Sequence, residues 1–462
     1  MWGYHWLWAF IGYSISGLTL IELSIYAAII AFCLLVVAWY LYRVKRGEKI
    51  LNQKIEDAKK AGIHEPVSLH PEINYDICIG SGACVLACPE KDILGLANGR
   101  GYIVNGAECI GHGACFHACP VEAISLVLGT EKRGVELPHI NHNYESNVQG
   151  IFIAGELGGM GLIRNCVEQG MVAMEEIVKS GYLSDHQRDY DCVIVGAGPA
   201  GISAALTAKK HGLRFQLVDQ DTLGGTVYSF PRVKLVMTQP MYLPLYGHVK
   251  LYETNKDELL RIWREALGKN NITVREKFRV VDVRHEEGGF RVISAEGEEL
   301  STRTVLLAIG RRGTPRKLGV PGEEGSDKVF YRLLDPELIE GKNILVVGGG
   351  DSALEASLML MDQNTVYHSY RRDAIARAKP KNRQKFYHAI EEGKIRILWN
   401  TNVTEIRPTE VQLINNKNQE TIVVPNDLVY VFIGGVLPNA FLEKIGIKIL
   451  KRFRYTVKTY RN

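Results

Sequence analysis

The sequence predicts an α/β protein: two dinucleotide-binding folds in tandem, preceded by a small cysteine-rich module and one N-terminal transmembrane helix. Three observations carry that prediction. Two glycine-rich runs, Gly196-Ala-Gly-Pro-Ala-Gly201 and Gly348-Gly-Gly-Asp-Ser-Ala353, each follow an apolar strand and open a helix. Two nearly identical cysteine blocks precede them, Cys78-Ile-Gly-Ser-Gly-Ala-Cys84 with Cys88-Pro89, and Cys109-Ile-Gly-His-Gly-Ala-Cys115 with Cys119-Pro120. Before both, Leu23 to Tyr42 is a run of 20 residues without a charge.

That run is long enough to cross a hydrocarbon core of about 30 Å as a helix. Trp2, Trp6, Trp8, Trp39, Tyr40 and Tyr42 flank it, as interfacial aromatics do. Arg43, Lys45, Arg46 and Lys49 follow at once, which places the C-terminal side in the cytoplasm. A cleaved signal peptide carries its positive charge before the apolar run, and here the charge comes after it. The expectation is a single-pass protein of the inner (cytoplasmic) membrane, N-terminus outside, with residues 1–46 as anchor, a span at about 23–42, and membrane lipid as a partner.

The polar residues 47–67 have helical spacing and read as a linker to the cysteine module at 68–128. The six block cysteines leave Cys33, Cys166 and Cys192 in three separate segments, with no C-x-x-C pair. That argues against a disulfide framework and for thiols that are reduced or metallated. A net charge of +4 over 462 residues gives no reason to expect nucleic acid.

Each block fits the iron–sulfur run C-x₂-C-x₂-C-x₃-C-P except at its second ligand position, which is Ser81 in one and His112 in the other. Cysteines spaced this way wrap a cubane face, and the fourth of each run serves the other cluster. The sequence therefore proposes two iron–sulfur clusters, 4Fe-4S or 3Fe-4S. Cys78, Cys84, Cys88, Cys109, Cys115 and Cys119 are the expected metal ligands, with His112 as a further one.

In the first glycine-rich run the strand Tyr190 to Val195 leads into the turn, a helix follows, and the strand Phe215 to Val218 ends on Asp219. Gly196 permits the tight turn, Gly198 lets backbone N–H groups approach a pyrophosphate, and Gly201 lets helix pack on strand. Asp219 stands where a carboxylate hydrogen-bonds a ribose hydroxyl. In the second run, Asn343 to Val347 leads into Gly348, Gly350, Ser352 and Ala353, but its second strand ends on Tyr370-Arg371-Arg372, with Arg377 close behind. Guanidinium groups there accommodate a 2′-phosphate, so NADPH is expected, with NADH as the open alternative.

Residues 68–128 resemble the two-cluster ferredoxin module. Residues 190–439 resemble the thioredoxin-reductase-like flavoproteins, through Gly196 to Gly201, Leu223-Gly224-Gly225-Thr226, Leu307 to Gly310, Gly348 to Ala353 and Phe432-Ile433-Gly434-Gly435. Within that family, Tyr331 to Pro336 and Arg377 to Arg383 are closest to the bacillithiol-disulfide-reductase-like branch. The resemblance implies FAD in the first fold, with Gly224, Gly225 and Thr226 among its binding residues, and NADPH in the second.

Two departures from the family matter. Thioredoxin reductases carry a C-x-x-C pair in the NADPH domain, and Glu323 to Asn439 holds no cysteine. The family also closes its FAD domain with a C-terminal strand and helix. Here that element lies before the first glycine run, at Gly150-Ile-Phe-Ile-Ala-Gly155-Glu156 and the helix from Leu162. This reads as a circular permutation, with Gly155 and Glu156 at the FAD, Glu156 replacing an aspartate. The expected division is 129–185 as the permuted part of the FAD domain, 186–325 as its main part, 326–430 as the NAD(P)H domain and 431–462 as the return segment.

The expected function is an NAD(P)H-dependent oxidoreductase moving electrons between NADPH, FAD and iron–sulfur clusters. The redox acceptor or donor would be a ferredoxin, a quinone or a membrane protein, and a homodimer is open. The cofactors carry the chemistry, so no side chain is assigned as a catalytic acid or base. Two other readings stay open: reduction of a low-molecular-weight disulfide at the flavin with structural clusters, and a non-catalytic redox sensor.

Overall fold

Apolar residues all round one end and alternating charge at the other make a single helix of Leu20–Lys60, 41 residues without a break. The computed structural model describes residues 20–60, 64–66, 69–90, 92–131, 134–159, 161–183, 188–232, 234, 236–311, 313–375 and 378–458. Trp2, Trp6, Trp8 and Arg377 lie outside the described residues. The helix is long and apolar enough to cross a membrane. It continues through the expected linker as far as Lys60. Arg43 stacks its guanidinium over the Trp39 ring at 5.2 Å, the two meeting one turn apart where apolar sequence gives way to basic.

The described chain forms two compact units. The first comprises the helix, the residues up to Cys109, and Gly113–Leu126. Its helical part holds a β-hairpin, Leu94–Ala97 paired with Arg100–Ile103 in the register Leu94 to Ile103 and Ala97 to Arg100. Asn98 and Gly99 connect the strands at φ +49° and +67°, the two left-handed residues that a two-residue type I′ turn requires. Two five-residue helices, Ala83–Ala87 and Ala114–Ala118, carry the cysteines, each capped by a left-handed glycine, Gly82 or Gly113.

The second unit runs from Val127 to Val457 and takes in Ile110–His112. Its first sheet places Phe215–Val218, Tyr190–Val195 and Glu299–Leu307 side by side, with Thr304 opposite Cys192 and Leu307 opposite Val195. The long strand Glu299–Leu307 has two different partners on its other edge. Residues 299–302 pair antiparallel with Phe290–Ile293, and residues 305–307 pair parallel with Ile151–Ile153. The segment before the first glycine run is thus a strand of the first dinucleotide-binding sheet. Its helix, Ile163–Lys179, packs on Pro199–Lys210 so closely that a Cβ on Gly170 would lie 2.0 Å from the Ala200 carbonyl oxygen.

Core residues fill both faces of this sheet. Ile194, Leu217, Leu306 and Trp263 are on one face; Val193, Val195, Val305 and Leu307, covered by Leu442 and Ile447, are on the other. The chain returns to this region after its second fold, with Ile449–Arg452 pairing antiparallel to Val135–Pro138. The second fold is a five-stranded parallel sheet in the order Val329–Phe330, Leu428–Val431, Asn343–Val347, Thr365–Tyr370, Ile395–Trp399. A three-stranded antiparallel sheet built from residues 401–425 accompanies it. The strands Tyr190–Val195, Phe215–Val218 and Asn343–Val347 have the bounds expected from sequence. The architecture is α/β, with a ferredoxin-like iron–sulfur module, two dinucleotide-binding folds and one N-terminal apolar helix.

Candidate cofactor sites

The first glycine turn is shaped by what each glycine touches. Gly196 has φ +108°, and a Cβ there would lie 2.5 Å from the Ala308 carbonyl oxygen. On Gly201 a Cβ would lie 1.8 Å from the Gly196 oxygen, so the helix can start this close to the strand only without a side chain. Gly198 faces open space, with nothing within 4 Å of a built Cβ. Gly225, at φ +54°, approaches it from the other side, its Cβ position 3.3 Å from Gly198 Cα. Gly224 N donates to the Ala197 oxygen at 2.9 Å. The two glycine-rich segments therefore make one cradle of backbone, suited to a diphosphate at a helix N-terminus. Thr226 is exposed at its edge.

Asp219 has a task that the sequence alone does not show. Its Oδ2 accepts from Ala197 N at 2.7 Å and its Oδ1 from Asp221 N at 2.8 Å. Burial pushes its pKa up, and those two N–H groups oppose the shift. The carboxylate ties the second strand to the glycine turn. Its remaining lone pairs are what a ribose hydroxyl could use.

The segment Ile151–Glu156 reaches the same place. Gly155, at φ +83°, lies beside the first turn of the helix, a Cβ there being 3.0 Å from Ala200 Cβ, and its N–H donates to Gln169 Oε1 at 2.9 Å. Glu156 is half-buried, with Oε2 4.0 Å from the Cβ position of Gly310, where the chain leaves the sheet. Arg311 follows; burial lowers its pKa against the pull of Glu156 and Glu136, and it donates to the Glu136 carbonyl oxygen at 3.0 Å. Cys166 is buried beside Gly155, its thiol pushed up to about 12 by burial and then by Glu156, so it is inert as a nucleophile. Sequence reasoning did not single out Arg164, which donates to Gln239 at 2.6 Å and ties the start of that helix to the loop at 238–240.

The second turn repeats the pattern with other parts. Gly348 has φ +147°, and a Cβ would lie 2.3 Å from the Phe432 oxygen. Gly350 faces open space. Ala353 is fully buried, and Ser352 is exposed on the first helical turn. Arg371 and Arg372 are exposed immediately after Tyr370, whose ring crowds Gly349. Asp351 Oδ1 accepts from Lys379 N at 2.9 Å and from Asn382 at 2.8 Å, which holds the basic 378–383 segment against the helix start. His368 was also missed. Fully buried, it places Nε2 2.8 Å from the Gly348 oxygen and Nδ1 2.8 Å from Ser357 Oγ. Burial depresses its pKa to about 4, so it is neutral at physiological pH.

In the first unit, one cavity is lined by Cys78, Ser81 and Cys84 of the first block and Cys119 of the second, closed by Ile73, Leu96 and Ile124. Gly101 N donates to Cys78 Sγ at 3.5 Å and Ala123 N to Cys119 Sγ at 3.2 Å. The complementary grouping shows in the electrostatics: burial pushes the Cys115 thiol up to about 12, and the next contributions are Cys109 and Cys88. Cys119 of the second block thus stands with the first, and Cys88 of the first contributes to the field at Cys115 of the second. Among the described residues no three His, Cys, Asp or Glu side chains could hold a single metal ion. Thiols spread around a cavity, with N–H donors to sulfur, are a donor set that fits a multi-iron cluster. Ser81 lines the first cavity beside the three cysteines. His112 is half-buried between Gly111 and Gly113.

A family model described as pyridine nucleotide-disulphide oxidoreductase matches residues 193–460, and one described as 4Fe-4S dicluster domain matches residues 70–120. Over 268 residues the chain is 28% identical to ferredoxin–NADP reductase of Ignicoccus hospitalis, an alignment of 56% of this chain and 82% of that protein. It is 28% identical over 264 residues to bacilliredoxin reductase Bdr of Bacillus subtilis, covering 56% and 81%. Among solved structures, bacillithiol disulfide reductase Bdr (YpdA) from Staphylococcus aureus aligns with a TM-score of 0.49 at 23% identity, over 58% of this chain and 83% of that one.

Proposed function

The chain belongs to the pyridine nucleotide-disulphide oxidoreductase family and carries a 4Fe-4S dicluster domain; from that premise we propose a membrane-anchored oxidoreductase moving electrons between NADPH, FAD and two iron–sulfur clusters to a redox partner. Bound FAD and iron–sulfur clusters would supply the exchange between two-electron hydride chemistry and one-electron transfer. The chain's own residues position and tune. The cradle of Gly198, Gly224 and Gly225 holds the FAD diphosphate, with Asp219 fixing the turn and Glu156 beside Gly310 on the ribityl side. The N-terminus of the helix Ile163–Lys179 supplies a partial positive charge. Gly350 leaves room for the NADPH diphosphate, and Arg371 and Arg372, with Arg377, take the 2′-phosphate. Cys78, Cys84 and Cys119 hold one cluster and Cys109, Cys115 and Cys88 the other, with Ser81 and His112 at the fourth corners.

One observation carries this reading. The strand and turn Ile151–Glu156, which reach the first cradle at Gly155 and Ala200, are the part of the flavin domain that follows the cysteine module in the chain. A tether of about twenty residues keeps cluster module and flavin domain at high effective concentration. Ferredoxin is the partner in the name of the Ignicoccus relative; here a ferredoxin-like module is joined in the same chain. An internal dithiol relay to a protein disulfide is disfavoured, since Glu323 to Asn439 contains no cysteine. Arg43, Lys45, Arg46 and Lys49 after the apolar run favour the cytoplasm for the cofactor-bearing domains.

Iron, acid-labile sulfide and flavin analysis of anaerobically purified full-length protein, followed by NADPH titration, tests the reading. The expected result is one FAD and two clusters per chain, with flavin reduced by NADPH. Flavin reduction with rapid turnover of a small disulfide and unchanged clusters would favour the disulfide-reductase reading. A flavin that neither NADPH nor NADH reduces would overturn both.

A further inference from the structure

The cysteine module is docked on the same unbroken helix that carries the apolar run, and its contacts give it a height. Glu48 Oε1 accepts from Asn98 N at 3.0 Å. Three residues further along the helix, Leu51 fills the space against Gly95, where a Cβ would lie 2.3 Å from its Cδ1. Another three residues on, Lys54 pairs with Asp92 at 2.6 Å. The hairpin therefore lies along the helix with its Asn98-Gly99 tip pointing back toward the apolar end. Glu48 is six residues beyond Tyr42, so the tip stands about 9 Å from the end of the apolar run at 1.5 Å per residue. Each headgroup layer is about 5–8 Å deep, taken from a bilayer of about 40–45 Å around a core of about 30 Å. The tip is level with the outer face of that layer.

The first cysteine loop meets the hairpin at this tip. A Cβ on Gly80 would lie 2.1 Å from the Gly99 oxygen, and Gly82 packs on Leu96 of the same hairpin. Ile79, next to Gly80 and lining the first cavity, is exposed, as are Ile77 and Tyr75 beside it. Arg100 is exposed at the tip, and Arg43, Lys45, Arg46 and Lys49 are exposed on the helix above. Apolar and aromatic side chains beside basic ones, at headgroup height, match an anionic lipid surface.

We propose that the loop Cys78–Cys84 rests on the bilayer surface, with Ile79 seated among anionic headgroups, so that the cavity of Cys78, Cys84 and Cys119 is the membrane-side cluster site. The inference rests on the reading of the apolar helix as a membrane span. It gives the first cluster the position from which a membrane-dissolved redox partner is reached, and it accounts for an exposed isoleucine on a cluster loop.

Hydroxyl-radical footprinting of the full-length protein in nanodiscs of phosphatidylethanolamine and phosphatidylglycerol tests it. Ile79 is 64% exposed and Leu338, in the second unit, is 78% exposed, so the two should react comparably once normalised to the urea-unfolded chain. The expected result is modification of Ile79 several-fold slower than that of Leu338. Equal rates in nanodiscs, with the protein floating with carbonate-washed vesicles, would overturn the proposal and leave the span standing. Failure to float would overturn the span and the proposal with it.

Discussion

The two glycine turns share one backbone plan and differ in how tightly it is closed. In both, the first glycine sits under a carbonyl, Ala308 in one and Phe432 in the other, and the second faces open space. The third position separates them. At Gly201 a Cβ would lie 1.8 Å from the Gly196 oxygen, whereas the second turn places Ala353 there, fully buried. The bracing differs as well: Asp219 accepts from the backbone of the first turn, and the neutral His368 meets the Gly348 oxygen of the second. The lesson is that a dinucleotide turn needs an open middle and a fixed start. The charge at the end of its second strand is then free to select the nucleotide.

Gly201→Ala should be the most damaging change to this comparison. Overpacking against a backbone oxygen costs about 1–3 kcal/mol, so thermal unfolding should drop well below wild type and flavin should be lost. Gly198→Ala should leave the melt unchanged while reducing flavin content; equal melts for the two variants would break the comparison. Gly170→Ala, with its Cβ 2.0 Å from the Ala200 oxygen, extends the test to the segment preceding the first turn. It should cost about as much stability and release flavin, and an intact holoprotein would contradict the shared domain.

The double substitution Arg371→Ala with Arg372→Ala acts on the second turn alone. Charge-assisted hydrogen bonds are worth about 1.5–3 kcal/mol each, so KM for NADPH should rise tenfold or more in steady-state assays. KM for NADH and flavin content should hold, and an equal rise for both nucleotides would remove the 2′-phosphate role. His368→Gln gives the smallest effect, visible only in acid. The folded pKa of about 4 is below the ordinary 6.5, so between these values the unfolded chain binds a proton that the folded chain does not. Wild-type stability therefore falls as pH drops from about 6.5 toward 4. The variant should show a flatter profile in that window, measured by denaturant midpoint against pH; an unchanged slope would assign the acid sensitivity elsewhere.

Much of this was legible in the sequence because it is written in local pattern. Strand, glycine turn and helix occur in order with their signals intact, and the displaced Gly150–Glu156 strand is a contiguous motif wherever the chain carries it. The expectation that Cys119 stands with the first block follows from spacing, and the cavity it lines with Cys78 and Cys84 agrees. The Asn98-Gly99 dipeptide between two short runs is a hairpin signal, and that hairpin aligns the cysteine module to the helix. Other features have no local trace. The backbone bonds of Asp219 require the turn and the second strand to be folded together. His368 alternates along a strand like any residue, and only the burial of its ring between Gly348 and Ser357 shows its task. The continuation of the apolar helix to Lys60, by contrast, agrees with the helical spacing of the polar residues that follow the apolar run.

In the proposed function, electrons from NADPH pass through the flavin to the clusters within one chain. Anaerobic mixing with NADPH, followed by rapid freezing and electron paramagnetic resonance alongside flavin absorbance, tests it most directly. Flavin should bleach first and cluster signals should then grow within single-turnover time, independent of protein concentration. Flavin that bleaches while every cluster signal stays unchanged would contradict it.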